Sequence, residues 1–196
     1  MKKGERTKQA LLQIAYNLFI SRGYENTSVD DIIKAADIAK GTYYYHFESK
    51  EQTLEEVIGM MIDQEAEAAG QVLRSDAPVP QKIAGIIASL RPRQEELPIE
   101  GALMKPENAL MHVKIKRRLV ETVLPLLTEA VEEGIAQGVF SCDNIAERVR
   151  MLLVISNETF DEGQFTERDV DVFIDMTEKL LGAKAGTMDF VRALIR

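Results

Sequence analysis

The chain has 196 residues, enough to bury a sizeable core in one domain or two modest ones, and its 45% hydrophobic and 29% charged residues exclude a fibrous or disordered protein. A lone cysteine, Cys142, excludes an intrachain disulfide, and no apolar run approaches the roughly 20 residues that span a bilayer, so a cytoplasmic protein with no membrane partner is expected. The net charge of −8 is uneven: residues 1–50 carry eight Lys/Arg against six Asp/Glu, which leaves −10 on the remainder and suits a small nucleic-acid-reading head on an acidic body.

The start Met1-Lys2-Lys3 mimics a basic leader, but Gly4 to Gln9 is polar and Gln13 and Asn17 interrupt the next apolar stretch, so no signal peptide is expected. Ala10, Leu11, Ile14, Ala15, Leu18 and Phe19 share one face of a helix predicted over Thr7 to Ser21, ended by Arg22-Gly23. Thr27 with Asp30 three residues on resembles a capping box, so a second helix is expected from Thr27, burying Val29, Ile32, Ile33 and Ala36. A third short helix after Asp37 carries Lys40-Gly41-Thr42-Tyr43-Tyr44-Tyr45-His46 and stops near Phe47. Ser49 and Gln52 cap a long fourth helix, whose apolar positions Leu54, Val57, Ile58, Met61, Ala68 and Val72 recur to about Arg74.

Ser75 to Pro80 is a turn-rich break, Gln81 to Leu90 a fifth helix, and Pro98 to Gly101 a second break. Pro106 fits the first turn of a helix whose apolar register continues through Leu119, Val123, Leu127, Val131 and Ile135, with Pro125 expected to kink or divide it. Helices over Asp143–Thr159 and Thr166–Leu181 follow, the latter capped by Thr166 with Asp169, and a short one over Thr187–Ile195 ends the chain. No alternating strand pattern of useful length occurs, so the class is all-α. Nothing between the third helix and the body is rich enough in Gly, Pro or Ser to be a linker, so head and body are expected to be coupled through the fourth helix.

Two short helices meeting at a tight turn, the second bearing Lys, Thr, Tyr and His, are what a helix-turn-helix requires. The stretch from Gly23-Tyr24-Glu25-Asn26-Thr27-Ser28-Val29-Asp30-Asp31-Ile32 through Lys40-Gly41-Thr42-Tyr43-Tyr44-Tyr45-His46-Phe47-Glu48-Ser49-Lys50-Glu51 closely resembles the N-terminal signature of the TetR/AcrR family of transcriptional regulators. The resemblance implies a three-helix DNA-binding domain over residues 1–50 and a helical effector-binding and dimerisation domain over 51–196. It also implies a homodimer that represses from a palindromic double-stranded operator and is released by a small molecule.

Carried residue by residue, Lys40 and Gly41 would open the recognition helix, with Thr42 and Tyr45 near base edges and Tyr44 and His46 on phosphates. Lys50 would meet the backbone, and Thr27, as helix cap, would point free amides at a phosphate. Asp37 stands where the family most often has glycine, and Asp tolerates a left-handed backbone; Ala39 replaces a common serine and Tyr43 a common leucine or isoleucine. Tyr43 is therefore open between core and base contact, although three successive tyrosines cannot share one helix face and at least one must be exposed.

In the body, the resemblance implies an effector pocket, expected near Met61, Ile86, Met104, His112 and Asn157, for an apolar or amphipathic molecule. Met151-Leu152-Leu153-Val154-Ile155 is apolar around its whole circumference, so the last two long helices are expected to pair with a second copy. The run His112-Val113-Lys114-Ile115-Lys116-Arg117-Arg118 is read as a solvated helix face rather than a second nucleic-acid patch. No catalytic or cofactor motif is present, and His112 has no partners at metal-ligand spacing, so no enzyme, cofactor or metal is expected. The alternative is a small helical enzyme or binding protein that keeps the head for folding alone; salt-sensitive binding to a palindromic duplex separates the two.

Overall fold

The computed structural model describes residues 3–160 and 164–195, and all regular structure among them is helical. The helices are α1 (Lys3–Arg22), α2 (Val29–Ala36), α3 (Lys40–His46), α4 (Lys50–Leu73), α5 (Val79–Ser89), α6 (Leu97–Leu103), α7 (Ala109–Ala136), α8 (Ile145–Phe160), α9 (Glu167–Leu181) and α10 (Val191–Leu194). Short 3-10 turns, Gln94–Glu96 and Pro106–Asn108, lead into α6 and α7.

The chain divides into two compact units. The first comprises the residues up to Asp63 together with Pro92–Ile115; the second comprises Gln64–Arg91 and the residues from Lys116 onward. Several helix limits differ from those expected. The stretch Pro98 to Gly101, expected as a break, lies inside α6, because Pro98 occupies the first turn, where no amide hydrogen is required of it. Pro125 leaves α7 a single helix from Ala109 to Ala136. The eighth helix begins at Ile145 rather than Asp143, since Asn144 takes a left-handed conformation (φ 48°).

In the first unit, the buried stripe of α1 is Leu11, Leu12, Ala15, Tyr16 and Phe19, while Ala10 is exposed and Ile14 and Leu18 are half-buried. The face is thus turned about one residue from the expected one. Tyr16 accounts for this: its hydroxyl donates to the Glu96 carboxylate at 3.0 Å, and Arg93 holds the same oxygen at 2.6 Å. Burial pushes the Glu96 carboxyl up, but the side-chain and backbone hydrogen bonds from Arg93 and that from Tyr16 outweigh it and leave it below its ordinary value. Lys105 pairs with Glu25 at 2.6 Å and Lys114 with Glu55 at 3.3 Å, so residues 92–115 are tied to α1, α4 and the turn before α2. The first unit therefore contains more than the three-helix head.

The second unit packs Val79, Ile83, Ile86, Val123, Leu127, Val131, Val149, Val170 and Ile174 around one core. Its register on α4 runs through Ala69 and Leu73, with Val72 half-buried against it and Ala68 exposed. Gly182 ends α9 in the left-handed conformation (φ 63°), and a Cβ there would stand 2.1 Å from the Ser141 carbonyl oxygen, so no other residue fits without displacing backbone. Arg148 fastens the same corner by donating to the Leu180 carbonyl at 2.6 Å and to Asp143 at 2.7 Å.

Candidate nucleic-acid interface

The helix pair is set by local chemistry. Ser28, not Thr27, caps α2: its side chain accepts from the Asp31 amide at 3.1 Å, and Asp31 accepts from the Ser28 amide at 2.9 Å. The correction has a physical reason. Thr27 is fully buried, and its hydroxyl is spent on the Gly23 carbonyl at 2.9 Å, where it closes the turn after α1. It has no surface to offer a phosphate. Asp37 ends α2 with φ 50°, so aspartate fills the left-handed turn that glycine would otherwise occupy.

α3 is anchored by one residue. Tyr43 is fully buried, packs against Phe47 with ring centroids 5.5 Å apart, and shares a 2.6 Å hydrogen bond with the Thr53 hydroxyl, which itself donates to the Ser49 carbonyl at 3.0 Å. Burial pushes the Tyr43 hydroxyl above its ordinary pKa, so it stays protonated. The question the sequence left open is settled by this packing: Tyr43 is core. Its neighbours face outward, Tyr44 at 47% exposure and Tyr45 at 82%. Tyr44 stands edge-on to Tyr43 at 5.3 Å, and Tyr45 edge-on to His46 at 5.0 Å. Gly41 is exposed and Thr42 half-buried on the same short helix.

The cations flank this face. Lys40 lies 3.6 Å from Asp30, with both side chains largely exposed, and 5.9 Å from the Tyr44 ring centre. Lys50 donates to the Tyr24 carbonyl at 3.1 Å with its ammonium 4.1 Å from the centre of that ring, which fixes its position beside the helix pair. Ser49 and Gln52 hold the start of α4 above it: the Gln52 amide donates to the Ser49 hydroxyl at 3.2 Å, and the Gln52 side chain accepts from the Glu48 amide. Seven of the eight residues expected to meet DNA thus belong to α3 or the first turn of α4, and Thr27 alone lies beneath them.

The residues expected around an effector fall differently. Met61 in the first unit and Ile86 in the second are buried, His112 and Asn157 half-buried, and Met104 exposed. None of them lines the cavity of about 320 Å³ that lies within the second unit. That cavity is walled by residues of α5, α7, α8, α9 and the C-terminal segment, among them Leu127, Val131, Leu152, Phe160 and Phe173, with Arg91 as the sole charged lining residue among the described residues. The basic run on α7 is a solvated face: Val113, Lys114, Arg117 and Arg118 are exposed, Lys114 meets Glu55 and Arg117 meets Glu121 at 2.9 Å, while Ile115 is buried. Among the described residues no cluster of His, Cys, Asp or Glu has the grouping a metal ion needs, and no helix is long and apolar enough to cross a membrane.

A brace helix, a left-handed turn and a second helix with a buried anchor and an exposed polar-aromatic face define a helix-turn-helix DNA-binding protein. The family model described as "Bacterial regulatory proteins, tetR family" matches residues 11–57, the stretch that carries this geometry. The HTH-type transcriptional repressor KstR2 of Mycolicibacterium smegmatis is 29% identical over 140 residues, which span 69% of this chain and 68% of that protein. Among solved structures, RolR in complex with the ligand resorcinol is 20% identical, covers 98% of this chain and 94% of its own, and has a TM-score of 0.63. A transcriptional regulator from Cytophaga hutchinsonii, 18% identical, covers 89% of this chain and 94% of its own, with a TM-score of 0.58. Residues 11–57 thus carry a TetR-type helix-turn-helix DNA-binding region, and the chain shares its fold with these solved regulators.

Proposed function

We propose that this regulator binds a palindromic double-stranded operator as a homodimer and is released from it by a small apolar or amphipathic effector, with residues 1–50 as the reading head and 51–196 as the effector-binding and dimerising body. The observation that carries the reading is the division of the tyrosine triplet: Tyr43 inward, Tyr44 and Tyr45 outward beside Thr42. Thr42 and Tyr45 address base edges; Lys40, the Gly41 amide, Tyr44, His46 and Lys50 hold the sugar-phosphate backbone. Thr27 acts through packing, and Ser28 caps α2.

Dimerisation is supported by exposed apolar side chains on the last two long helices, Met151, Val154 and Ile155 on α8 and Val172 on α9. A two-fold pair would set its recognition helices roughly 34–36 Å apart, in successive major grooves. We read the effector seat as the cavity of the second unit; RolR, a protein of like fold, holds a small phenol. Induction requires that effector and operator weaken one another reciprocally, with a coupling of about 1–3 kcal/mol.

The test is fluorescence anisotropy with a palindrome selected from random duplexes, measured across salt concentration. Lys50→Ala should weaken all sequences alike and flatten the salt slope by about one unit. A changed sequence preference with an unaltered slope refutes the assignment.

A further inference from the structure

The second unit's cavity has a charge pattern that narrows what it can hold. Its walls are aliphatic and aromatic, with Phe160 edge-on to Phe173 at 5.2 Å. Of its two hydroxyls, that of Thr177 is spent on the Phe173 carbonyl at 2.7 Å, which leaves Ser156. Arg91 is exposed, follows the end of α5 and therefore stands at the rim; no carboxylate among the described residues is paired with its guanidinium. Two other cations of this unit, Lys82 and Arg192, are held by carboxylates, Glu133 at 2.7 Å and Asp171 at 2.6 Å, and neither lines the cavity. What sets Arg91 apart is its place: it is the one charged side chain among the described residues that line this apolar cavity.

We propose that this cavity takes an amphiphile with a single anionic head, its apolar body enclosed by α5, α7, α8 and α9 and its carboxylate or similar head against Arg91. The inference rests on the reading of this cavity as the effector seat. The volume of about 320 Å³ holds roughly ten groups at about 30 Å³ each, the share of a water-sized group in a liquid. That is the body of a ten-carbon acid. A neutral head of the same length could bond Ser156 but gains nothing from Arg91, and a cationic head is repelled by it. Because Arg91 is exposed, its contribution is that of a partly screened pair, about fivefold in affinity and smaller at high salt.

Calorimetric titration of the full chain at pH 7.5 with decanoate, decanol and decylammonium tests this. Decanoate should bind about fivefold more tightly than decanol, and decylammonium most weakly. Arg91→Gln, at an exposed position where the fold is not at stake, should bring decanoate down to decanol and leave decanol unchanged. The preference should shrink when salt is raised from 50 to 500 mM. Equal binding of decanoate and decanol, an unaltered preference in Arg91→Gln, or no saturable binding of either overturns the inference. The anisotropy assay with each bound probe separates it from the reading beneath: a charge preference removed by Arg91→Gln with no loss of operator affinity upholds this site and overturns effector release. Release by decanol as effective as by decanoate upholds effector release and overturns the anionic head.

Discussion

Removing the hydroxyl of Tyr43 should cost stability without changing what the protein reads. In Tyr43→Phe the ring still fills its place against Phe47, and Thr53 still donates to the Ser49 carbonyl, so the main loss is the buried 2.6 Å hydrogen bond to Thr53, with a longer contact of 3.3 Å to the Ser49 carbonyl lost beside it. Such a bond contributes about 1 kcal/mol net, which in a chain of this size lowers Tm by roughly 2–4 °C. Tyr43→Ala removes the ring itself from a fully buried site and should cost about 3–5 kcal/mol. Tyr45, at 82% exposure, is the counterpart: Tyr45→Ala should leave stability within about 0.5 kcal/mol and weaken operator binding by about 1–3 kcal/mol. Thermal and urea unfolding followed by circular dichroism at 222 nm give the first quantity, and anisotropy with the selected palindrome gives the second. Tyr43→Phe should bind within about twofold of the parent at a temperature where both are folded, since losing the buried hydroxyl leaves the outward face in place. Altered sequence preference in Tyr43→Phe, or a stability loss above about 1 kcal/mol in Tyr45→Ala, would refute the division of the triplet into anchor and reader.

Three further outcomes follow from the same structure. Gly182→Ala combines a left-handed backbone with a Cβ 2.1 Å from the Ser141 carbonyl oxygen, and should cost at least about 2 kcal/mol in urea unfolding. Burial, then the hydrogen bond to Glu96, pushes the Tyr16 hydroxyl up to about 12. A raised folded pKa is a stabilisation fully present below the unfolded value of about 10 and lost as pH rises through 12, so the parent should lose stability over pH 10–12 with a slope that Tyr16→Phe reduces but does not abolish, because the Tyr24 and Tyr43 hydroxyls are also raised. Met151→Glu puts a charge on the exposed face of α8; sedimentation should show a dimer weakened at least tenfold while the melting of the protomer changes by no more than about 0.5 kcal/mol.

The helix pair was legible in the sequence because its signals are local. The end of α2 at Asp37, the span of α3 and the cap of α9 by Thr166 all depend on neighbours within three or four residues. The cap of α2 slipped by one because Thr27 with Asp30 and Ser28 with Asp31 present the same spacing, and only the tertiary burial of Thr27 chooses between them. Pro98 misled for a related reason: proline stops a helix interior and starts a first turn, and residue type alone does not distinguish the two. The face of α1 was misjudged because Tyr16 is drawn in by Glu96, 80 residues away. The cavity was hidden most completely. Its walls come from α5, α7, α8, α9 and the C-terminal segment, each contributing residues that read as ordinary core in their own helix, and no periodicity marks where packing leaves a gap.

The single anchor beneath α3 bears on how such a protein diverges. Because the rotation of the recognition helix is held from below by Tyr43, Phe47 and Thr53, residue 45 has no part in keeping the head folded, and residues 42 and 44 have only a minor one. Substitutions there can change the preferred base sequence without passing through unfolded intermediates, one position at a time. A library randomised at those three positions should yield mostly folded proteins, and duplicated copies of such a gene can drift toward new operators while each variant remains a working protein.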